Sequence, residues 1–329
     1  MSFASIRLGL FTLALLGVAA ASRAEPVGYQ HLLIPDPAGK PVEVGVWYPT
    51  DAPAAPTTLQ LYPQTVAVDG QVVGRRLPLV VMSHGNGGGH AGHYDTALAL
   101  AHAGYVVAAL THTGDNYLDQ SRAVDLPNRP RQLKLLLDYM LSGWSAHAQI
   151  DPNHIGAFGF SAGGFTVLTL AGGEPDLAAI RPHCAAHPDY YDCKLVARFP
   201  DAARTLQGAV WTHDTRLKAV VVAAPAVGFT FGKAGLAKVR LPIQLWGAEF
   251  DHVLPLSDYA SAVQADLPVT PEYRVVKNAD HYDFLAPCTP ALAKAAPEIC
   301  VSRPGFDRAA FHAEFDREVV AFFDRELAR

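Results

Sequence analysis

Seven short apolar runs alternate with segments of helical spacing, and this alternation restricts the fold more than any other feature of the chain. The runs are "VEVGVWYP" (42–49), "LPLVVMSHG" (77–85), "GYVVAALTH" (104–112), "HIGAFGF" (154–160), "LKAVVVAAP" (217–225), "LPIQLWG" (241–247) and "EYRVVKNA" (272–279). Each has the length and apolar or β-branched content of a strand. Between most of them lie stretches such as "HYDTALALAHAG" and "PNRPRQLKLLLDYMLS". The chain closes with Phe311, Phe315, Val319, Phe322 and Phe323 along one helical face. Strands that are apolar on both faces need cover on both faces. The expected fold class is therefore α/β, a mostly parallel, doubly wound sheet with helices on both sides. No repeat and no long linker interrupts the pattern, so residues 25–329 read as one domain. "AVDGQVVG" (67–74) reads as a hairpin turning at Asp69 and Gly70.

The first 24 residues stand apart from this pattern. "MSFASIR" carries a cation, Leu8 to Ala21 form a short apolar core, and Ser22 and Ala24 are small residues three and one positions before a cut after Ala24. That is the form of a secretory signal peptide, too short to span a membrane. The expectation is an exported protein, periplasmic or extracellular, with no stable membrane anchor. Four cysteines, Cys184, Cys193, Cys288 and Cys300, agree with an oxidising compartment. Of the three connectivities, the simplest joins Cys184 to Cys193 and Cys288 to Cys300. A zinc knuckle is a poor fit, because these pairs lack its tight two-to-four spacing. With 50% hydrophobic and 17% charged residues in 329, the chain has the composition of a folded globular protein, and a net charge of -5 offers no basic footprint for nucleic acid. A small-molecule substrate is the default.

"HIGAFGFSAGG" (154–164) places a serine between glycines directly after a buried strand and before a helical segment. Gly159, Phe160, Ser161, Ala162 and Gly163 form a G-x-S-x-G elbow, in which glycines keep side chains out of a sharp turn and the serine projects above the sheet. A serine hydroxyl needs a general base, and the base needs an orienting carboxylate. In a doubly wound sheet these belong on loops at the carboxyl ends of strands. "LPIQLWGAEFDHVLP" offers Asp251, with Glu249 as its rival, and "EYRVVKNADHYDFL" offers His281. The order Ser161, Asp251, His281 is that of an α/β-hydrolase. His252 and His312 read as surface or structural residues.

Acyl transfer also needs donors for the oxyanion. The N–H of Ala162, directly after the nucleophile, is one, and the N–H of Asn86 in "SHGNGGGH" (83–90) is the expected second. His84, His90, His93 and Asp95 fit no zinc template by spacing, so no metal is expected, and the mechanism calls for no cofactor. His84 reads as an anchor of its loop.

Taken together, "LPLVVMSHGNGG", "GYVVAALTHTGD", "NRPRQLKLLLDYML", "DPNHIGAFGFSAGG" and "ADHYDFLAPC" resemble the secreted α/β-hydrolases grouped with dienelactone hydrolases and platelet-activating-factor acetylhydrolases. The resemblance covers nearly the whole chain after residue 24. It implies an ester hydrolase with Ser161 as nucleophile, His281 as base and Asp251 as orienting acid. The nucleophile departs from true dienelactone hydrolases, which use cysteine. A peptidase, an amidase or a polyester hydrolase would use the same residues, and a non-catalytic binding protein would be expected to have lost one. Residues 172–215, inserted between the nucleophile helix and the next strand, read as a cap, with Tyr190, Tyr191 and Trp211 lining an acyl pocket or packing the cap on the sheet. The absence of an openly apolar lid favours short-chain or soluble esters.

Overall fold

The computed structural model describes residues 26–200 and 208–327. The expected signal peptide, 1–24, and residues 201–207 of the expected cap lie outside them. The described strands are β1 (Val27–Ile34), β2 (Val42–Pro49), β3 (Ala55–Leu59), β4 (Tyr62–Val68), β5 (Leu77–Ser83), β6 (Val106–Thr111), β7 (Ile150–Phe160), β8 (Leu217–Ala223), β9 (Ile243–Ala248) and β10 (Glu272–Val276). They form one sheet in the order β10-β9-β8-β7-β5-β6-β2-β1-β4-β3. Pairing is parallel from β10 through to β6 and antiparallel at β6–β2, β2–β1 and β4–β3.

Side-chain alternation explains why the central strands are apolar throughout. Along β5, Leu77, Leu79 and Val81 enter one buried cluster with Leu133, Leu136, Leu137 and Met140 of α2 (Asn128–Ser142) and Phe165, Val167 and Leu168 of α3 (Ala162–Leu170). Val80 and Met82 enter the opposite cluster, with Ala97, Leu100 and Ala101 of α1 (Tyr94–His102) and Phe315, Val319, Phe322 and Phe323 of the C-terminal helix (Arg308–Glu326). Both faces of the strand are thus buried under helices, as the continuous apolar runs require.

The expected hairpin at 67–74 is corrected by the structure. Asp69 does take a left-handed φ of 55° and the chain does turn there, but Val72 makes only an isolated bridge with Thr50. The hairpin is β3–β4, where Leu59 faces Tyr62 across Gln60 and Leu61, and Gln60 supplies the positive φ. A local Asp-Gly turn signal fixes a change of direction; what the chain pairs with afterwards is decided by the neighbouring strands.

From β5 the chain passes to β6 on one side, then crosses to β7 on the other. The loops that follow β5 and β7 therefore open onto a shared crevice at the carboxyl ends of the strands, the place where ligands bind in such sheets.

Candidate active site

At the end of β7, Ser161 adopts φ 55° and ψ -120°, and α3 starts at the next residue. The sharpness of this elbow dictates its glycines. A Cβ on Gly163 would lie 1.8 Å from the Ser83 carbonyl oxygen, and one on Gly159 would lie 2.1 Å from the Gly163 oxygen. Neither neighbour is a flexible side-chain tip, so no larger residue fits. Ser161 N–H donates to the Ala223 carbonyl, and the Ser161 carbonyl accepts from Ala226 N–H, which ties the elbow to the end of β8.

The two partners arrive on the loops after β9 and β10. His281 opens a 3-10 turn, His281–Phe284, whose preceding residue, Asp280, accepts from the His281 N–H through its side chain. Asp251 Oδ1 accepts from the N–H groups of Val253 (3.0 Å) and Leu254 (2.6 Å), which leaves Oδ2 aimed at the histidine. His281 Nδ1 lies 2.8 Å from Asp251 Oδ2, and Nε2 lies 3.1 Å from Ser161 Oγ. With Nδ1–H donating to the carboxylate, Nε2 presents a lone pair able to accept a hydrogen bond from the serine hydroxyl. The Phe160 ring packs 4.8 Å from the imidazole. All three residues are buried. Glu249 is turned away: its carboxylate takes Lys277 Nζ at 2.8 Å and the Asn278 N–H at 2.9 Å. His252, exposed, sits on Asp280.

The loop after β5 lies against the elbow, close enough that a Cβ on Gly85 would be 3.1 Å from Ser161 Cβ. Among the described residues, neither the Asn86 N–H nor the Ala162 N–H has an acceptor; the latter is one of the free donors that every helix start leaves. The side chain of Asn86 is held at both ends, by Asp115 Oδ1 (2.6 Å) and by the Tyr191 hydroxyl. Asp115 Oδ1 also accepts from Gly87 N–H at 2.9 Å.

Sequence reasoning assigned no role to Arg129. Its guanidinium is buried, with Nη1 on Asp115, Nη2 on the His84 carbonyl and Nε on Thr166 Oγ1 at 3.1 Å. One cation thus braces the Asn86 loop against α3. Burial, then the charge of Arg129, pushes His84 well below the usual imidazole range. The neutral ring donates from Nδ1 to Gly85 O and accepts at Nε2 from His112 N–H, which anchors the loop as expected. The pattern "NRPRQ" was the available signal, but nothing in spacing alone pairs Arg129 with Asp115 fourteen residues earlier.

The segment after α3 carries α4 (Ile180–Ala186) and α5 (Tyr191–Arg198), joined by the Cys184–Cys193 disulfide; the second disulfide is Cys288–Cys300. Asp192 accepts from the Tyr259 hydroxyl at 2.9 Å, and the His183 ring stacks on Phe229 at 3.6 Å. Trp211 packs edge-on against Phe165 in the core, Tyr190 donates to Asp258, and Tyr191 reaches the Asn86 loop. No described helix is long and apolar enough to cross a membrane.

These features define an α/β fold with a serine elbow at its topological switch point. No family model and no curated protein matches the chain. Among solved structures, a ferulic acid esterase from Streptomyces cinnamoneus is similar over 94% of this chain and 92% of its own, with a TM-score of 0.65 and 21% identity. The likeness shows the fold, the α/β architecture of that esterase.

Proposed function

We propose that the protein is a serine hydrolase of carboxylic esters, related to the secreted dienelactone hydrolase and platelet-activating-factor acetylhydrolase group. The observation that carries this reading is the unbroken chain from Ser161 Oγ through His281 to Asp251, at 3.1 and 2.8 Å, hung on a strained elbow. Ser161 Oγ attacks the ester carbonyl while His281 Nε2 takes its proton. Asp251 holds the tautomer and stabilises the imidazolium. The N–H groups of Asn86 and Ala162 receive the oxyanion. His281 then protonates the leaving alcohol, and water, activated at the same nitrogen, hydrolyses the acyl-enzyme. No cofactor enters these steps.

Residues 172–215 serve as a cap in this reading, with Tyr191 the aromatic residue placed to meet an acyl group, and the substrates are short-chain or soluble esters. The name of the structural neighbour makes an ester of ferulic acid the first aromatic substrate to try. Export to the periplasm or beyond accords with the two disulfides. The test is turnover of a graded ester panel by the parent and by Ser161→Ala. We expect the variant to lose at least about a thousandfold in kcat/KM with its fold intact. Retained activity, or an anilide cleaved as fast as the matching ester, would contradict the proposal.

A further inference from the structure

A second group of chemically able side chains lies at the far end of the Asn86 loop. His31 of β1, Glu43 of β2 and His90, which follows "GNGGG", each offer one donor atom within 4.8 Å of the other two. Sequence spacing could not reveal this set, because the ligands come from three elements. Of the four residues set aside on spacing, His84 is bound to Gly85 and His112, His93 packs on Phe158 and Phe160, and Asp95 faces His312, whereas His90 turns toward Glu43.

From this geometry we infer that His31, Glu43 and His90 form a binding site for a divalent transition-metal cation, zinc by preference. Imidazole and carboxylate are the donor types zinc takes, and three protein ligands leave its fourth position for water. Zinc bonds of about 2.0–2.1 Å at tetrahedral angles put donor atoms about 3.3 Å apart. Here His31 Nε2 is 2.9 Å from Glu43 Oε1, and His90 Nδ1 is 3.6 Å from Glu43 Oε2. Both distances lie within about half an ångström of that spacing; they run to different oxygens of Glu43, and the three donor atoms taken together lie within 4.8 Å of one another.

The surroundings fit as well. His90 Nε2 lies 3.3 Å from the Tyr29 hydroxyl, a partner able to hold its tautomer, and Nδ1, now 3.0 Å from Thr111 Oγ1 and 3.5 Å from Gln60 Nε2, would exchange those contacts for the metal. His90 can reach Glu43 only because β2 carries glycine opposite it: a Cβ on Gly45 would lie 2.7 Å from the His90 ring. Exposure falls from 49% at His31 through 27% at Glu43 to 2% at His90, so one ligand is fixed in the protein and the others face solvent, leaving a path for the ion. The group Asp95, His312 and Asp316 lacks these features, being closed by its own contacts with Thr96 and the Asp283 carbonyl. A bound cation would join β1 and β2 to the loop whose other end carries Asn86.

The test uses the whole mature protein, freed of metal with a chelator and dialysed. Titration with zinc chloride should show one equivalent bound, and at zinc a hundredfold above Kd the melting temperature should rise by about 5 °C. Cobalt(II) should give the intense visible bands of a four-coordinate site. His31→Ala, at an exposed residue, and Glu43→Gln, of the same shape at a half-buried one, should weaken binding at least about tenfold and abolish those bands with the fold intact, while His147→Ala, a remote exposed histidine, should not. Failure of the parent to bind an equivalent, or equal binding by the parent and both site variants, would overturn the inference. Neither outcome bears on the role of Ser161.

Discussion

Ser161 pays for its position with backbone strain, about 1–3 kcal/mol for a non-glycine residue in so sparsely populated a conformation. What that conformation achieves is the aim of Oγ at His281. Ser161, Asp251 and His281 were legible as candidates from motif, order and strand ends, Asp251 being preferred to Glu249 for the "HVLP" that follows it, and in the fold the two carboxylates of this one loop point in different directions. The geometry gives a sharp expectation. Asp251→Asn should lower kcat by about ten-thousandfold through the wrong histidine tautomer, whereas Glu249→Gln, which touches only Lys277 and Asn278, should leave kcat within about twofold. Equal losses in a steady-state assay would reverse the assignment. His312, read from sequence as surface or structural, is buried with Nδ1 2.7 Å from Asp95 Oδ2. Nearby Asp316 is raised to about 7 by burial and by the Asp95 carboxylate, with the Thr96 hydroxyl and His312 opposing. The folded chain therefore keeps a proton that the unfolded chain releases, and stability falls as pH rises from about 4 to 7. Asp316→Asn, which preserves the acceptor for Thr96, should flatten that decline and raise the melting temperature at pH 8 more than at pH 4; a parallel pH profile would exclude the effect.

At the scale of elements, the central strands were readable because two-sided burial writes itself as continuous apolar sequence. β1, β3 and β4 were not. They lie at the outer end of the sheet, where exposed positions such as Thr58, His31 and Pro63 dilute the pattern. The brace between α2 and the loop after β5 was invisible for a related reason: a buried ion pair has no local signature. Removing one half should be severe. Arg129→Met leaves the Asp115 carboxylate buried without its cation, at a cost of about 3–5 kcal/mol. The double variant Arg129→Met, Asp115→Leu should regain part of that stability and none of the lost kcat, because it also takes from Asn86 and Gly87 the acceptor that fixes them. Denaturant unfolding beside kcat would separate the two effects. Full recovery of kcat in the double variant would mean that the loop holds its place unaided.

For the molecule as a whole, the account requires that sheet, elbow, two partner loops and the 172–215 segment assemble around one nucleophile that a substrate can reach. The fold class was readable throughout, whereas the substrate was not, because residues such as Tyr191, which reaches Asn86, meet the site through tertiary packing. The most direct measurement is the intact mass of the purified protein after exposure to a fluorophosphonate, with Ser161→Ala alongside. One adduct on the parent and none on the variant is the expected result, and it would show a serine made nucleophilic by its partners. A folded parent that takes no adduct, or a variant that takes the same one, would contradict the central claim.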